Sequence, residues 1–91
     1  MKAKSGFVLK NIAGESIIMP VGDNIKNFDG AIVLNDVSAF VWSKLENGAS
    51  RDELIEYILA EYDVDADRAA EDLDLLLKKL IGYGAVEEEA L

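Results

Sequence analysis

Residues 30–45, GAIVLNDVSAFVWSKL, contain the point at which the spacing of apolar side chains changes. The first five form a short apolar run with β-branched residues at its centre, which is typical of a strand. Asn35 or Asp36 then supplies a helix N-cap, and Asn47-Gly48 ends that helix. The apolar residues that follow the cap recur at helical spacing and form a stripe at Val37, Phe40, Val41 and Leu45. Trp42 lies beside this stripe, and we expect it in the core.

Two runs rich in β-forming residues precede this stretch. Phe7–Ile12 and Ser16–Met19 are separated by Ala13-Gly14-Glu15. Two such runs around a glycine predict a β-hairpin. Pro20 closes the second strand because proline has no N–H to give to a ladder.

Two further helices are predicted after the stretch. Ser50 to Glu53 has the form of a capping box, and an apolar face follows from Leu54 to Tyr62. Asp63 to Asp65 separates this helix from a third, which we expect to run from Ala66 to Ile81 and to end at Gly82 and Gly84. The apolar stripe of the third helix consists of Ala69, Leu73, Leu76, Leu77 and Leu80.

The order of three strands followed by three helices indicates an α+β fold with a three-stranded antiparallel sheet. The second and third helices have the form of a helix-turn-helix pair. A chain of 91 residues that is 51% hydrophobic and has one proline suits one folded domain, which we expect over residues 1–91.

The composition excludes several kinds of site. The chain has no Cys and no His, so disulfides, thiolate metal sites, cysteine nucleophiles and histidine bases are excluded in cis. We therefore expect no catalysis, no metal and no cofactor. No apolar run approaches the roughly 20 residues needed to cross a membrane, and no signal peptide is evident, so a cytoplasmic protein is expected.

The net charge of −9 is concentrated in one half of the chain. Residues 1–45 carry five basic and four acidic side chains, whereas residues 46–91 carry four and fourteen. An acidic half repels phosphate backbones, and nucleic acid is therefore not an expected partner.

Three segments at matching spacings resemble the PqqD family. They are Leu34-Asn35 with Ala39 to Trp42, then Glu61 to Asp65, and finally Leu80 to Val86. The resemblance extends from about Phe7 to Glu87. It implies a winged helix-turn-helix-like fold, and a module that recognises ribosomally made, post-translationally modified peptides.

The resemblance also implies a partner and a site. Family members bind the leader of a precursor peptide and deliver it to a modifying enzyme, often a radical SAM protein. The leader adds as a strand to the edge of the third strand, which corresponds here to Gly30–Leu34, and its side chains enter a groove beside the third helix. The implied peptide-binding residues are Ala31, Ile32, Val33, Leu34, Ala69, Asp72, Leu73, Leu75, Leu76, Lys79 and Leu80.

Each of these assignments has an alternative. The third strand is either an open edge or a central, covered strand. Leu75 is either a rim contact for the leader or an isolated exposed leucine, and Asp72 and Lys79 are either partners of leader charges or ordinary surface charges. The fold also permits a winged-helix DNA-binding protein, and a structural subunit of the modifying enzyme remains a further alternative. A homodimer formed by exchange of the N-terminal hairpin between two chains is a further alternative.

Overall fold

The computed structural model describes residues 1–26 and 30–88, except for the side chain of Asn24. Residues 27–29 and 89–91 of the predicted single domain lie outside the described part. The strands are β1 (Lys2–Ala3), β2 (Phe7–Ile12), β3 (Glu15–Pro20), β4 (Ile32–Leu34) and β5 (Val86–Glu87). The helices are α1 (Asp36–Leu45), α2 (Arg51–Glu61) and α3 (Ala66–Tyr83), and a 3₁₀ helix spans Gly22–Lys26.

The predicted fold class is confirmed. Strands β2, β3 and β4 form an antiparallel sheet in that order, and three helices follow it. The β2–β3 hairpin turns through Ala13 and Gly14, whose φ angles are 52° and 82°. Two consecutive positive φ angles form the type I′ turn that matches the twist of a two-residue hairpin. The turn fixes the register, in which Ile12 lies opposite Glu15.

The third strand of this sheet is shorter than predicted. It begins at Ile32 rather than at Gly30. Gly30 has a φ of 76°, in the left-handed region that a β-strand does not use. The chain therefore turns at Gly30 and enters the sheet two residues later.

Local capping explains where the helices begin. Asn35, Ser50 and Asp65 each accept a hydrogen bond from a backbone N–H of the first helical turn, and Ser50 with Glu53 completes a capping box. The C-terminal end of α3 differs from the prediction, because the helix continues through Gly82 to Tyr83. Gly84 then forms the left-handed cap.

The core lies between the inner face of the sheet and the helices. Trp42 is 1% exposed, as expected for a core residue. It belongs to the same buried cluster as Ile18 from β3, Leu45 from α1 and Leu54 from α2. A second sheet, which was not predicted, pairs β1 with β5 and closes the domain near both ends of the described chain. In residues 1–26 and 30–88, no helix has the length and apolar character needed to cross a membrane.

Candidate functional site

The hydrogen bonds of β3 alternate between its two neighbours. Val21 donates its N–H to the carbonyl of Gly6 at 2.8 Å, immediately beyond the paired ends of β2 and β3. In an antiparallel pair, hydrogen-bonded residues alternate with non-bonded ones. Residues 15, 17 and 19 of β3 therefore direct their backbone groups toward β2. Ser16 and Ile18 direct theirs toward β4.

This alternation identifies the open backbone groups of β4. Leu34 lies opposite Ser16, Ile32 opposite Ile18, and Val33 opposite Ile17. Ile32 and Leu34 therefore exchange hydrogen bonds with β3, whereas the N–H and C=O of Val33 point away from it. Since β4 is the last strand in the sheet order, these two groups face an open edge.

The side chains of β4 alternate in the same way. Ile32 and Leu34 are buried against the core, and Val33 is 55% exposed on the outer face. Ala31, just before the strand, is also exposed. Of the four strand residues expected to bind a peptide, Val33 and Ala31 are therefore accessible, and Ile32 and Leu34 anchor the edge from within.

Tyr83 joins the end of α3 to the start of the edge. Its hydroxyl donates a hydrogen bond to the carbonyl of Gly30 at 3.0 Å, and its ring packs edge-on against Phe7 at 5.8 Å between centroids. Residues four, seven and eleven positions earlier lie on the same side of a helix. Lys79, Leu76 and Asp72 therefore lie on the same flank of α3 as Tyr83.

The other α3 residues expected in the site border this flank on its two sides. Ala69, Leu73 and Leu80 are buried in the core, so they support the flank from behind. Leu75 is 64% exposed. It lies on the opposite side from the buried stripe, one turn after Asp72 and one turn before Lys79, so it borders the flank on its exposed side. Helical spacing thus places Asp72, Leu75, Leu76 and Lys79 next to one another, with Leu76 half-buried and the other three exposed.

Three depressions lie at β4 or at the residues just before and after it. One of about 400 Å³ lies at the Leu34 end and includes Glu15, Val33, Asn35 and Asp36 in its lining. A second, of about 100 Å³, lies between the helices and is lined in part by Asn35, Val37, Ala69 and Asp72. The third, of about 430 Å³, lies at the Ala31 end and is lined by Met19, Pro20, Ile25, Gly30 and Ala31.

Two charged contacts lie on the exposed surface of α3. Arg68 donates to Asp72 one helical turn later at 3.2 Å, and both side chains are largely exposed. Arg51 at the start of α2 forms a two-bond contact with Asp74, at 2.7 and 2.9 Å. The hydrogen bond from Arg51 holds the pKa of Asp74 below its ordinary value. This contact fixes α3 against α2 on the side remote from β4.

The arrangement suits an extended peptide better than a small molecule or a metal. An incoming strand can pair with the open groups of Val33 while its side chains reach the flank of α3 and the depressions. In the described ranges, no group of three or more acidic side chains is placed to hold a metal ion. Sequence reasoning did not find Tyr83, Asn35 or Val37. Tyr83 lies seven residues after Leu76 at helical spacing, and it belongs to the segment Leu80 to Val86 that carries the family resemblance.

Comparisons with known proteins point in the same direction. The family described as coenzyme PQQ synthesis protein D, PqqD, matches residues 6–86. The chain is similar to TbiB1 solved in complex with the TbiA(beta) leader peptide, at 27% identity and a TM-score of 0.78, with 100% of both chains covered. A lasso peptide synthetase B1 complexed with the leader peptide shares the fold at 17% identity and a TM-score of 0.74, with 96% of both chains covered. No curated protein matches the chain.

Proposed function

Because this chain belongs to the PqqD family, we propose that it binds the leader segment of a ribosomally made precursor peptide and presents it to a separate modifying enzyme. The leader adds to β4 as a fourth strand. The chain supplies recognition and no reaction chemistry, in keeping with the lack of His and Cys. The proposed location is the cytoplasm, where such precursors are made.

One observation carries this proposal: the N–H and C=O of Val33 point away from β3, at the open edge of the sheet. Natural proteins usually protect such an edge with lysine, proline or a covering element, because it pairs readily with another chain. No charged residue or proline lies in Gly30–Leu34. TbiB1, the similar protein at 27% identity, was solved with a leader peptide bound. This supports peptide binding as the use of the open edge.

Backbone pairing and side-chain contacts have different roles in this proposal. The backbone groups of β4 give affinity for any extended segment, since every peptide offers the same N–H and C=O pattern. The flank formed by Asp72, Leu76 and Lys79 contacts the leader side chains that point inward. Leu76 offers the apolar surface of this flank.

The proposed enzyme partner is a radical SAM protein, as is frequent for the family. A winged-helix DNA-binding role, which the fold permits, receives no support from the surface of α3. Its exposed residues include Asp67, Glu71, Asp72 and Asp74 against Lys78 and Lys79, and Arg68 is already paired with Asp72. A recognition helix instead needs basic side chains along its exposed face to contact phosphates.

A titration with a fluorescent leader tests the proposal. The leader comes from the precursor encoded beside this chain, and its anisotropy is followed as the protein is added. We expect saturable binding tighter than about 100 μM, equivalent to about −5.5 kcal/mol. Absence of binding at that concentration contradicts the proposal. A pull-down of the modifying enzyme with and without leader then separates peptide delivery from a purely structural subunit, which would bind the enzyme equally in both cases.

A further inference from the structure

The two ends of the β4 edge differ in chemical character. At the Leu34 end, the depression of about 400 Å³ is lined by Glu15 and Asp36, and no basic side chain lines it. At the Ala31 end, the depression of about 430 Å³ is lined by Met19, Pro20, Ile25, Gly30 and Ala31, with no charged side chain. A peptide lying along the edge passes both.

The carboxylates at the Leu34 end have no cation of their own. Glu15 and Asp36 are exposed, and neither forms an ion pair with any residue of the described part. Asp36 lies in the first turn of α1, where the helix N-terminus provides roughly half a positive charge. Two carboxylates outweigh that partial charge, so this end favours a positively charged side chain.

The direction of the bound strand sets the order of the two ends in a peptide. All three strands of this sheet are antiparallel to their neighbours, and antiparallel pairing is slightly more stable per residue than parallel pairing. A strand that runs antiparallel to β4 passes Asn35 first, then Val33, then Ala31. The peptide residues opposite Asn35 and Ala31 are four positions apart. Their side chains point to the outer face of the sheet, as does that of the peptide residue opposite Val33.

We propose that the peptide recognised at this edge carries Lys or Arg four residues before a large apolar residue. The cationic side chain lies beside Glu15 and Asp36, and the apolar one covers Ile25, which is 62% exposed, and Met19. This inference rests on the proposed function and adds the chemistry of the peptide to it. Glu15 and Asp36 are thus residues that determine specificity.

Selection from a displayed library of random dodecapeptides tests the inference. Three proteins are used: the wild type, the double variant Glu15→Lys/Asp36→Lys, and the control Glu56→Lys/Glu71→Lys. The control makes the same change in net charge with exposed residues of α2 and α3. We expect the wild type and the control to select the cation four residues before an apolar residue. The Glu15→Lys/Asp36→Lys protein should select Asp or Glu at the first position.

The outcomes separate this inference from the proposed function. The inference is overturned if the wild type selects peptides without a charge preference. It is also overturned if the Glu15→Lys/Asp36→Lys protein retains the preference for a cation. Peptide binding itself stands in both cases. A wild type that selects no peptide overturns both. The best peptide is finally compared with the same sequence reversed, and we expect the reversed peptide to bind about tenfold more weakly, in the range of a few surface contacts. Equal binding of the two contradicts the order proposed here.

Discussion

Replacing Val33 by proline removes one backbone donor from the open edge of β4. The hydrogen bonds that Ile32 and Leu34 exchange with β3 are unaffected, because the N–H of Val33 points the other way. Edge strands accept proline when the missing N–H faces solvent. Val33 is 55% exposed, so its side chain contributes little to the core. The substitution should therefore reduce peptide binding while the domain stays folded.

The size of the effect follows from the hydrogen bond that the leader loses. A leader carbonyl that faces the proline ring is removed from water but finds no donor. An unmade hydrogen bond of this kind costs about 1–3 kcal/mol. That cost corresponds to an increase in Kd of roughly 5- to 150-fold.

The chain offers a matched control for this substitution on the opposite edge of the sheet. Asn11 of β2 lies opposite Ser16, and by the same alternation its N–H points away from β3. Asn11→Pro therefore introduces the same residue into an outer strand that the leader does not use. Anisotropy titrations and thermal melts of both variants give the comparison. Equal Kd values for Val33→Pro and Asn11→Pro, with both proteins folded, would refute strand addition at β4.

The remaining predictions concern the wall of the site and its supports. Leu76→Ala removes the half-buried apolar surface of the flank, and we expect it to weaken leader binding. Its loss of stability in urea unfolding should be smaller than that of the core substitution Leu80→Ala, which costs about 2–5 kcal/mol. Unchanged leader binding by a folded Leu76→Ala protein contradicts the assignment of the groove. Tyr83→Phe keeps the ring but removes the hydrogen bond to Gly30. This change should lower the free energy of unfolding by about 0.5–1.5 kcal/mol and weaken leader binding. A Kd for the leader equal to that of the wild type argues against Tyr83 as a support of the edge. Asp74→Asn loses the charged contact with Arg51. The stabilisation from this contact is complete above the ordinary aspartate pKa of about 3.9, and it is lost as the pH falls through the lower pKa that Asp74 has in the folded state. The Tm difference between Asp74→Asn and the wild type should therefore be present at pH 7 and disappear in strong acid; a difference that is independent of pH contradicts this assignment.

Features that depend on neighbouring residues were predictable from the sequence. The hairpin follows from the turn chemistry of Ala13-Gly14, and the helix starts follow from Asn35, Ser50 and Asp65, since each cap acts within its own first turn. The segments that resemble the PqqD family were also sufficient to predict the family, and the match over residues 6–86 confirms it.

Features that join distant parts of the chain were not predictable in this way. The β1–β5 pairing joins Lys2–Ala3 to Val86–Glu87, and two residues per strand carry no periodic signal. The role of Tyr83 depends on the carbonyl of Gly30, 53 residues earlier. Gly82 and Gly84 were expected to end α3, and Gly84 does provide the cap, whereas the helix continues through Gly82 because glycine costs only about 1 kcal/mol inside a helix.

The placement of the α3 site residues shows the same limit. The sequence gives their helical spacing but not the direction from which β4 approaches. Leu75 and Leu76 are adjacent in sequence, yet Leu76 is half-buried and Leu75 is 64% exposed. The hydrogen bond from Tyr83 to Gly30 shows which side of α3 lies toward the edge, and that contact requires the fold.

Amide hydrogen exchange at Val33, measured with and without the leader, tests strand addition most directly. In the free protein, the amide of Ile32 should exchange slowly because it donates to β3, and that of Val33 should exchange fast because it faces the open edge. Leader binding should slow exchange at Val33 and leave Asn11, on the opposite edge, unchanged. Protection that appears at Asn11 or elsewhere, while Val33 continues to exchange fast in the saturated complex, would contradict leader binding at β4.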